Sequence, residues 1–324
     1  MKIIKITVNQ YSDGLKIDKA IMEAGVDLSR KEVRRILDNG GIHCNGKKVF
    51  VASYTVKNGD HITLAVHPDL SSKKEEHSPI KDEDILYWKH GVLAVNKAPG
   101  IASVPTVSAQ TAHVKKLLEP WFKNKEVKIE DLTACHRLDK ETSGILLFAL
   151  GRAKSHWIME QFKNHTIKKV YHALCYGIPK EKKWEVQCFL SPMDKRTGRV
   201  NIVRSGGYPS FSSFQVIAVS KQHNLSLVRV TPKTGRSHQI RVHLQHSQLP
   251  LIGDKKYTLP NIKNLHPSLA ELSFQHHFLH ASMIEFIPEQ GQKRLVLKAE
   301  FPPLFHSFIK KSQMEFLVKD EMFF

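Results

Sequence analysis

The sequence predicts an α+β protein in two parts, a small N-terminal α/β module followed by a larger α+β domain. Three observations carry this. Two short helical patterns and a few short strands fill the first 67 residues. A polar stretch, "PDLSSKKEEHSPIKDE", bracketed by Pro68 and Pro79, then reads as a linker. From Ile85 onward strands, short helices and turns follow one another without the strict βαβ alternation of a doubly wound fold. The expected boundaries are 1–67 for the module, 68–84 for the linker, 85–310 for the larger domain and 311–324 for a C-terminal tail. No internal repeat is visible.

Within the module, "MKIIKITVNQ" alternates like a strand and lacks the apolar run of a signal peptide. "LKIDKAIMEAG" places Leu15, Ile17, Ala20, Ile21 and Ala24 at helical spacing, stopped by Gly25. Ser29 and Glu32 form a capping box that opens a second helix, with Val33, Ile36 and Leu37 as its buried stripe. Its other face carries Arg30, Lys31, Arg34 and Arg35. Asn45-Gly46 between strand-like flanks predicts a type I′ hairpin that displays Lys47 and Lys48. "YTVKNGDHITLAV" predicts a further pair of strands.

In the larger domain, "ILYWKHGVLAVNKAPG" begins with strands, and "ILLFAL" after Gly144 is a buried one. "AKSHWIMEQFKNH" predicts an amphipathic helix burying Ala153, Trp157, Ile158 and Phe162. "TIKKVYHALCYG" predicts a strand with Lys169, Tyr171, Ala173 and Cys175 on one face. Another strand ends at Thr231-Pro232, and Thr234-Gly235 opens a helical segment with Arg236, Ile240 and His243 on one side and Arg241 adjacent.

The chain carries 49 Lys and Arg against 31 Asp and Glu, a formal charge of +18. Such an excess concentrates phosphate polymers around a protein, so a nucleic acid is the expected partner, although charge alone also fits an unrelated basic enzyme. No apolar run reaches membrane-spanning length, so no membrane partner is expected. Cys44, Cys135, Cys175 and Cys188 lack CxxC spacing, which points away from structural zinc and toward a reducing compartment, the cytoplasm. His276, His277 and His280 have chelating spacing but no acid or thiol near them in sequence, so no metal is expected. Neither a GxGxxG nor a P-loop pattern is present, and no nucleotide cofactor is expected.

Against this charge, "HRLDKETSG" at 136–144 sets an acid, Asp139, between Arg137 and Lys140 in a loop before a buried strand. Loop residues on a rigid scaffold are favoured for function, yet a lone aspartate is more often a turn former or an ion-pair partner. Tyr171 alone reads more readily as core filler.

Three segments together, "HRLDKETSG", "KVYHALCYG" at 169–177 and "TGRSHQIRVH" at 234–243, resemble the signature of the RluA-type pseudouridine synthases. "PLIGDKKY" at 250–257, "LHA" at 279–281 and "LAVNKAPGIASVP" extend the match, and residues 15–66 resemble an S4-type RNA-binding domain. Departures are Pro99, displaced by one within "NKAPG", and Gln248 and Thr258 where glycine is usual.

The resemblance implies a catalytic domain on a mixed, largely antiparallel sheet with flanking helices. It implies isomerisation of uridine to pseudouridine in RNA, with large-subunit ribosomal RNA as the target and no cofactor. Asp139 matches the family's catalytic aspartate, Arg241 the arginine paired with it, and Tyr171 the tyrosine that packs on uracil. Arg137 matches the residue that fills the stack left by a flipped base, and Arg236, His238 and Gln239 become candidate substrate contacts. Arg30, Lys31, Arg34, Arg35, Lys47 and Lys48 are the candidate RNA-binding cations of the module, and a monomer is expected. Two alternatives stay open: a non-catalytic RNA-binding or ribosome-assembly factor of the same fold, and a synthase acting on transfer RNA.

Overall fold

In the first part of the chain, alternating apolar residues and one tight turn build a small antiparallel sheet. A computed structural model describes residues 2–38, 40–66, 78–105, 112–123, 128–260, 269, 272 and 274–317. The chain divides into two units, Met1–Glu76 and His77–Phe324. Unit one comprises β1 (Lys2–Thr7), α1 (Ile17–Glu23), α2 (Arg30–Asp38), β2 (Ile42–Cys44), β3 (Lys47–Val49) and β4 (His61–Val66), with strand order β1-β4-β2-β3.

The expected capping box is present: the Glu32 backbone donates to Ser29 Oγ at 3.3 Å, and the Ser29 backbone donates to Glu32 Oε2 at 2.6 Å. Asn45 and Gly46 have φ of 50° and 76°, both positive as a type I′ turn requires. "YTVKNGDHITLAV" gives one strand rather than two, because Thr55 makes only an isolated bridge to Lys16 while His61–Val66 takes up the pairing with β1 and β2. Ile17, Ile21, Val33, Ile36, Ile42, Ile62 and Leu64 are fully shielded and form this unit's core. Ala24, expected on the buried stripe, is exposed.

Unit two holds β5 (Ile85–Lys89), β6 (Val92–Lys97), α3 (Val114–Phe122), β7 (Leu132–Ala134), β8 (Ser143–Leu150) and α4 (Arg152–Lys163). Then come β9 (Lys168–Tyr176), β10 (Lys183–Leu190), β11 (Ile202–Val203), β12 (Tyr208–Ser220), β13 (Leu225–Pro232) and α5 (Gln239–His246). β14 (Leu279–Phe286), β15 (Leu295–Lys298), α6 (Pro303–Lys311) and β16 (Glu315–Phe316) complete it. The sheet runs β11-β10-β12-β13-β9-β14-β8-β6-β5, with β15, β16 and β7 paired to its side. Every pairing is antiparallel except β14 with β8, so the sheet is mixed and largely antiparallel, as expected.

Both sheet faces are covered, which explains the unbroken apolar run of β8. Leu146 and Phe148 pack on Val114, Leu118 and Phe122 of α3, whereas Ile145, Leu147 and Ala149 pack toward Ile158 of α4. Each fully buried leucine, isoleucine or phenylalanine among them contributes about 1.5–3 kcal/mol. In α4 Trp157 and Phe162 are half-buried and Ala153 is exposed; Gln161 is buried in its stead, its amide donating to Ile287 O at 2.8 Å.

The ends of this unit extend past the expected boundaries. Of the expected linker, residues 68–77 lie outside the described residues. Residues 78–84 belong to unit two, where Ile80 is buried and its N–H donates to Leu117 O at 3.0 Å. Of the expected tail, α6 continues through Lys311 and β16 pairs with β12, because Leu317 N donates to Ile217 O at 2.8 Å. Residues 318–324 lie outside the described residues.

At the parallel seam, Gly144 has φ of 105° and faces Ala281, whose backbone a Cβ at position 144 would strike. Only glycine fits there. The loop carrying Asp139 enters the sheet at this seam.

Candidate active site

Just ahead of the seam, the "HRLD" segment at 136–139 is fixed from several sides. His136 Nε2 accepts from Leu147 N at 3.0 Å, and burial lowers its pKa to about 3, so this imidazole is a neutral structural acceptor. Leu138 N donates to Ser103 Oγ at 2.9 Å, and that hydroxyl donates back to Leu138 O at 2.8 Å. Thr142 N donates to Asp139 O at 3.1 Å, closing a turn. Beneath it the buried Lys97 ammonium donates to the carbonyls of Ala98, Ile101 and Lys140 at 2.9, 3.0 and 3.1 Å. Burial pushes that amine down to about 7, while Asp139 and Glu141 oppose the shift.

The three histidines near residue 280 serve the same loop. His276 pairs with Glu141, His277 Nε2 lies 2.9 Å from Thr142 Oγ1, and His280 Nδ1 lies 2.9 Å from Ser143 Oγ. Three successive residues after Lys140 are thus held from the β14 side.

The acid itself faces a pocket of about 490 Å³, counted to its open mouth and lined by Arg137, Asp139, Lys169, Tyr171, Arg236, His238 and Arg241 among others. Arg241 Nη1 donates to Asp139 Oδ2 at 3.1 Å. On its other edge Arg241 makes a two-point bond to Asp254, Nε to Oδ2 at 2.7 Å and Nη2 to Oδ1 at 2.8 Å. Asp254 Oδ1 also accepts from the backbones of Lys256 at 2.9 Å and Tyr257 at 3.0 Å. Burial raises the Asp254 pKa, but the Arg241 bonds outweigh it and bring it down to about 2. Burial likewise works against the guanidinium charge, and Asp254 and Asp139 together push Arg241 above its ordinary value.

Tyr171 is half-buried on β9 and lines the same pocket. Burial, with the Asp139 charge second, raises its phenol above the usual range, so it rests neutral. Lys169, two residues earlier on the same face, also lines the pocket, and burial lowers it to about 8.

The helix that carries Arg241 starts later than the spacing predicts. His238 has φ of 54°, a left-handed conformation that breaks the helical path, so α5 begins at Gln239 and Arg236 lies in the preceding turn. Gln239 locks this turn. Its oxygen accepts from Thr234 Oγ1 at 2.7 Å and Arg236 N at 3.0 Å, and its amide donates to Phe211 O and Ser212 Oγ, both at 3.0 Å. With two acceptor and two donor positions filled, Gln239 has no capacity left for a substrate, contrary to the expectation for it.

Arg236 Nε donates to Pro209 O at 3.1 Å and its guanidinium lies 5.5 Å from the centre of the Tyr208 ring, so it stands at the pocket rim. His238 Nδ1 lies 2.8 Å from Tyr257 Oη, which already accepts from Val200 N at 2.7 Å. The other His238 ring nitrogen, Nε2, lies 3.9 Å from Asp139 Oδ2. Arg137 is exposed at the mouth, and no hydrogen bond or ion pair among the described residues engages its guanidinium.

The pocket thus collects Asp139, Tyr171, Arg241, Arg137, Arg236 and His238, with Gln239 also in its wall. Lys169 joins them on the pocket wall, and Asp254, fully buried, lies behind Arg241; neither residue is a candidate from sequence, although both fall within quoted motifs, "KVYHALCYG" and "PLIGDKKY". In unit one Arg30 and Arg34 bond Asp18, and Lys47 and Lys48 are exposed on β3. The side chains of Lys31 and Arg35 lie outside the described residues.

The chain is similar to known proteins over most of its length. Residues 91–246 match the RNA pseudouridylate synthase family and residues 15–62 the S4 domain. The ribosomal large subunit pseudouridine synthase C of Buchnera aphidicola is 30% identical over 89% of this chain and 91% of its own length. The dual-specificity RNA pseudouridine synthase RluA of Vibrio cholerae is 31% identical over 68% of this chain and 91% of its own. Among solved structures, human RNA pseudouridylate synthase domain containing 4 shares the fold with a TM-score of 0.58 and 24% identity, over 72% of this chain and 94% of that one. Two spans of this chain, an S4 domain ahead of a catalytic fold with its pocket at a parallel seam, therefore identify it as a member of the RNA pseudouridylate synthase family, an isomerase acting on RNA.

Proposed function

We propose that this chain isomerises specific uridines of large-subunit ribosomal RNA, with Asp139 as the carboxylate that acts on the nucleotide. The observation that carries the reading is the Asp139–Arg241 pair at 3.1 Å on the wall of a cation-lined pocket. The target class comes from the names of relatives matched over about nine-tenths of their length, among them synthase C of Vibrio cholerae, covered to 92%. The cytoplasm is the working place that goes with this target.

The reaction breaks the bond from ribose C1′ to uracil N1 and makes one from C1′ to C5. The C5 proton is lost and N1 gains one, so atoms and electrons balance without an oxidant or a second substrate. Three routes lead there: carboxylate attack on C1′, attack on the uracil ring, or removal of a ribose proton. Each needs a carboxylate with a fixed direction. Arg241 supplies the counter-ion, and Asp254, bonded to it twice, fixes the plane of the guanidinium and so the position of Asp139.

The substrate base must leave its stack, at a cost of a few kcal/mol. Arg137, unengaged at the mouth, is suited to occupy the gap or grip the backbone. Tyr171, neutral at working pH, offers a ring face for uracil and a hydroxyl rather than a resting base. Lys169, Arg236 and His238 supply donors for the nucleotide's oxygens and phosphates. Lys47, Lys48 and the arginines of α2 give unit one its attraction for the rest of the RNA.

The test is pseudouridine mapping of ribosomal and transfer RNA from cells that lack the gene and carry either the wild-type chain or Asp139→Asn. Sites in large-subunit RNA that return with the wild type and not with the variant support the proposal. Equal restoration by both removes Asp139 from the chemistry, and restoration confined to transfer RNA reassigns the target.

A further inference from the structure

Unit one contains a buried acid that the RNA-binding reading does not use. Asp18, in the first turn of α1, has a fully buried side chain and lies beside Ile17 and Ile21 of the core. Arg30 Nε donates to its Oδ2 at 2.9 Å and Arg34 Nε donates to the same oxygen at 3.1 Å. Its other oxygen, Oδ1, is buried with no hydrogen-bond partner among the described residues.

An acid placed here for stability alone would be a poor choice. A buried carboxylate with one oxygen unsatisfied costs more than an apolar side chain of similar size would. What it does that an apolar residue cannot is hold two guanidiniums. Both arginines spend the Nε–H on Asp18, and no other hydrogen bond or ion pair among the described residues engages either one. Each is about half exposed, at 48% and 55% of its side chain. A guanidinium is planar, so fixing Nε also fixes the two Nη groups, which form the fork that grips a phosphate. Arg30 and Arg34 are four apart on α2, one turn of helix, so the two forks sit side by side.

We propose that Asp18 is a positioning residue which turns Arg30 and Arg34 into a pre-set, two-pronged clamp for the phosphodiesters of an RNA strand. The proposal rests on unit one being an RNA-binding module. It assigns affinity to the orientation of these cations as well as to their number, and ordering two long side chains in advance spares that loss on binding.

The sign of one mutation separates this from simple electrostatics. Asp18→Ala removes a negative charge from a surface that binds a polyanion. By charge alone, RNA affinity should stay level or rise. If the carboxylate orients the arginines, affinity of the full-length chain for a labelled 20-mer of poly(U) falls instead, by about tenfold. Level or tighter binding overturns the clamp. Arg30→Lys with Arg34→Lys keeps the charge and removes the forks. It should also weaken binding several-fold, and unchanged affinity again overturns the proposal. This pair decides the matter if Asp18→Ala loses cooperative melting. Arg30→Ala with Arg34→Ala tests the underlying reading: an unchanged affinity and salt slope would mean that this face does not bind RNA at all. A fall there beside an unaffected Asp18→Ala rejects only the clamp.

Discussion

The two units each contain a cluster of acid and arginine, built in opposite senses. In unit two the arginine is at the centre: Arg241, with 7% of its side chain exposed, lies between the fully buried Asp254 and Asp139, which is 20% exposed. In unit one the acid is at the centre and the arginines are outside. In both, the buried member fixes direction and the outer member does the meeting. The pocket thereby presents a carboxylate to its mouth inside a cationic protein, the group proposed to meet the nucleotide, and the module presents guanidiniums to solvent. Net charge describes neither surface; the order of burial does.

Substitutions at the central residue of each cluster should have the largest effects. Arg241→Met leaves Asp254 buried without its counter-ion, and the expected loss is about 3–5 kcal/mol of stability in denaturant unfolding. Pseudouridine formation should vanish with it; a variant that stays as stable as the wild type would show that Arg241 is not the centre.

Asp254→Asn is the next largest. It keeps the shape but weakens the two-point hold on Arg241, so kcat should fall about a hundredfold through misplacement of Asp139 while RNA affinity stays level. The same variant has a signature in acid. The folded Asp254 carboxyl sits at about 2, below its ordinary 3.8, so the stability it contributes is complete above the ordinary value and is lost as pH falls from there through 2. Asp254→Asn should therefore lose less stability than the wild type on going from pH 4 to pH 2, measured by melting temperature. Parallel loss in both proteins would remove Asp254 from the acid transition.

The outer partners should behave differently from the centres. Arg34→Ala, at a half-exposed pair, should shift unfolding by no more than about 1 kcal/mol while lowering RNA affinity and its salt slope. A shift as large as that of Arg241→Met would mean that the two clusters are built alike after all.

The smallest effect is at Gln248, which has φ of 62° where the family resemblance expects glycine. Gln248→Gly should raise stability by up to about 1 kcal/mol by relieving the left-handed backbone just after α5. Unchanged or lower stability would show that its side chain compensates.

How far the sequence foretells these clusters differs between them. The α+β class, the helix caps, the I′ turn and the pocket trio of Asp139, Tyr171 and Arg241 are legible, because local spacing and long motifs mark them. Asp254 is not, since it reaches Arg241 only after the chain leaves α5 and reverses through two positive-φ positions, Gln248 and Gly253. Asp18 is hidden for a related reason: within α1 it looks like an ordinary first-turn acid, and its partners come from the next helix. Gln239 misleads in the other direction. It stands in a substrate-contact motif, yet its four hydrogen bonds are all internal, a saturation that only tertiary structure reveals. The histidines at 276, 277 and 280 show only their spacing in sequence, because residues 141–143, which they hold, are far away along the chain.

β14 lies between β8 and β9, although it comes more than a hundred residues after either begins. The two strands that frame the pocket are therefore made early and cannot be joined until this late strand has emerged from the ribosome and slid between them. While translation is under way, β8 and β9 each expose an edge that a neighbouring nascent chain could take. A chain truncated before residue 279 lacks the strand that joins β8 to β9 and should aggregate rather than work at a reduced rate.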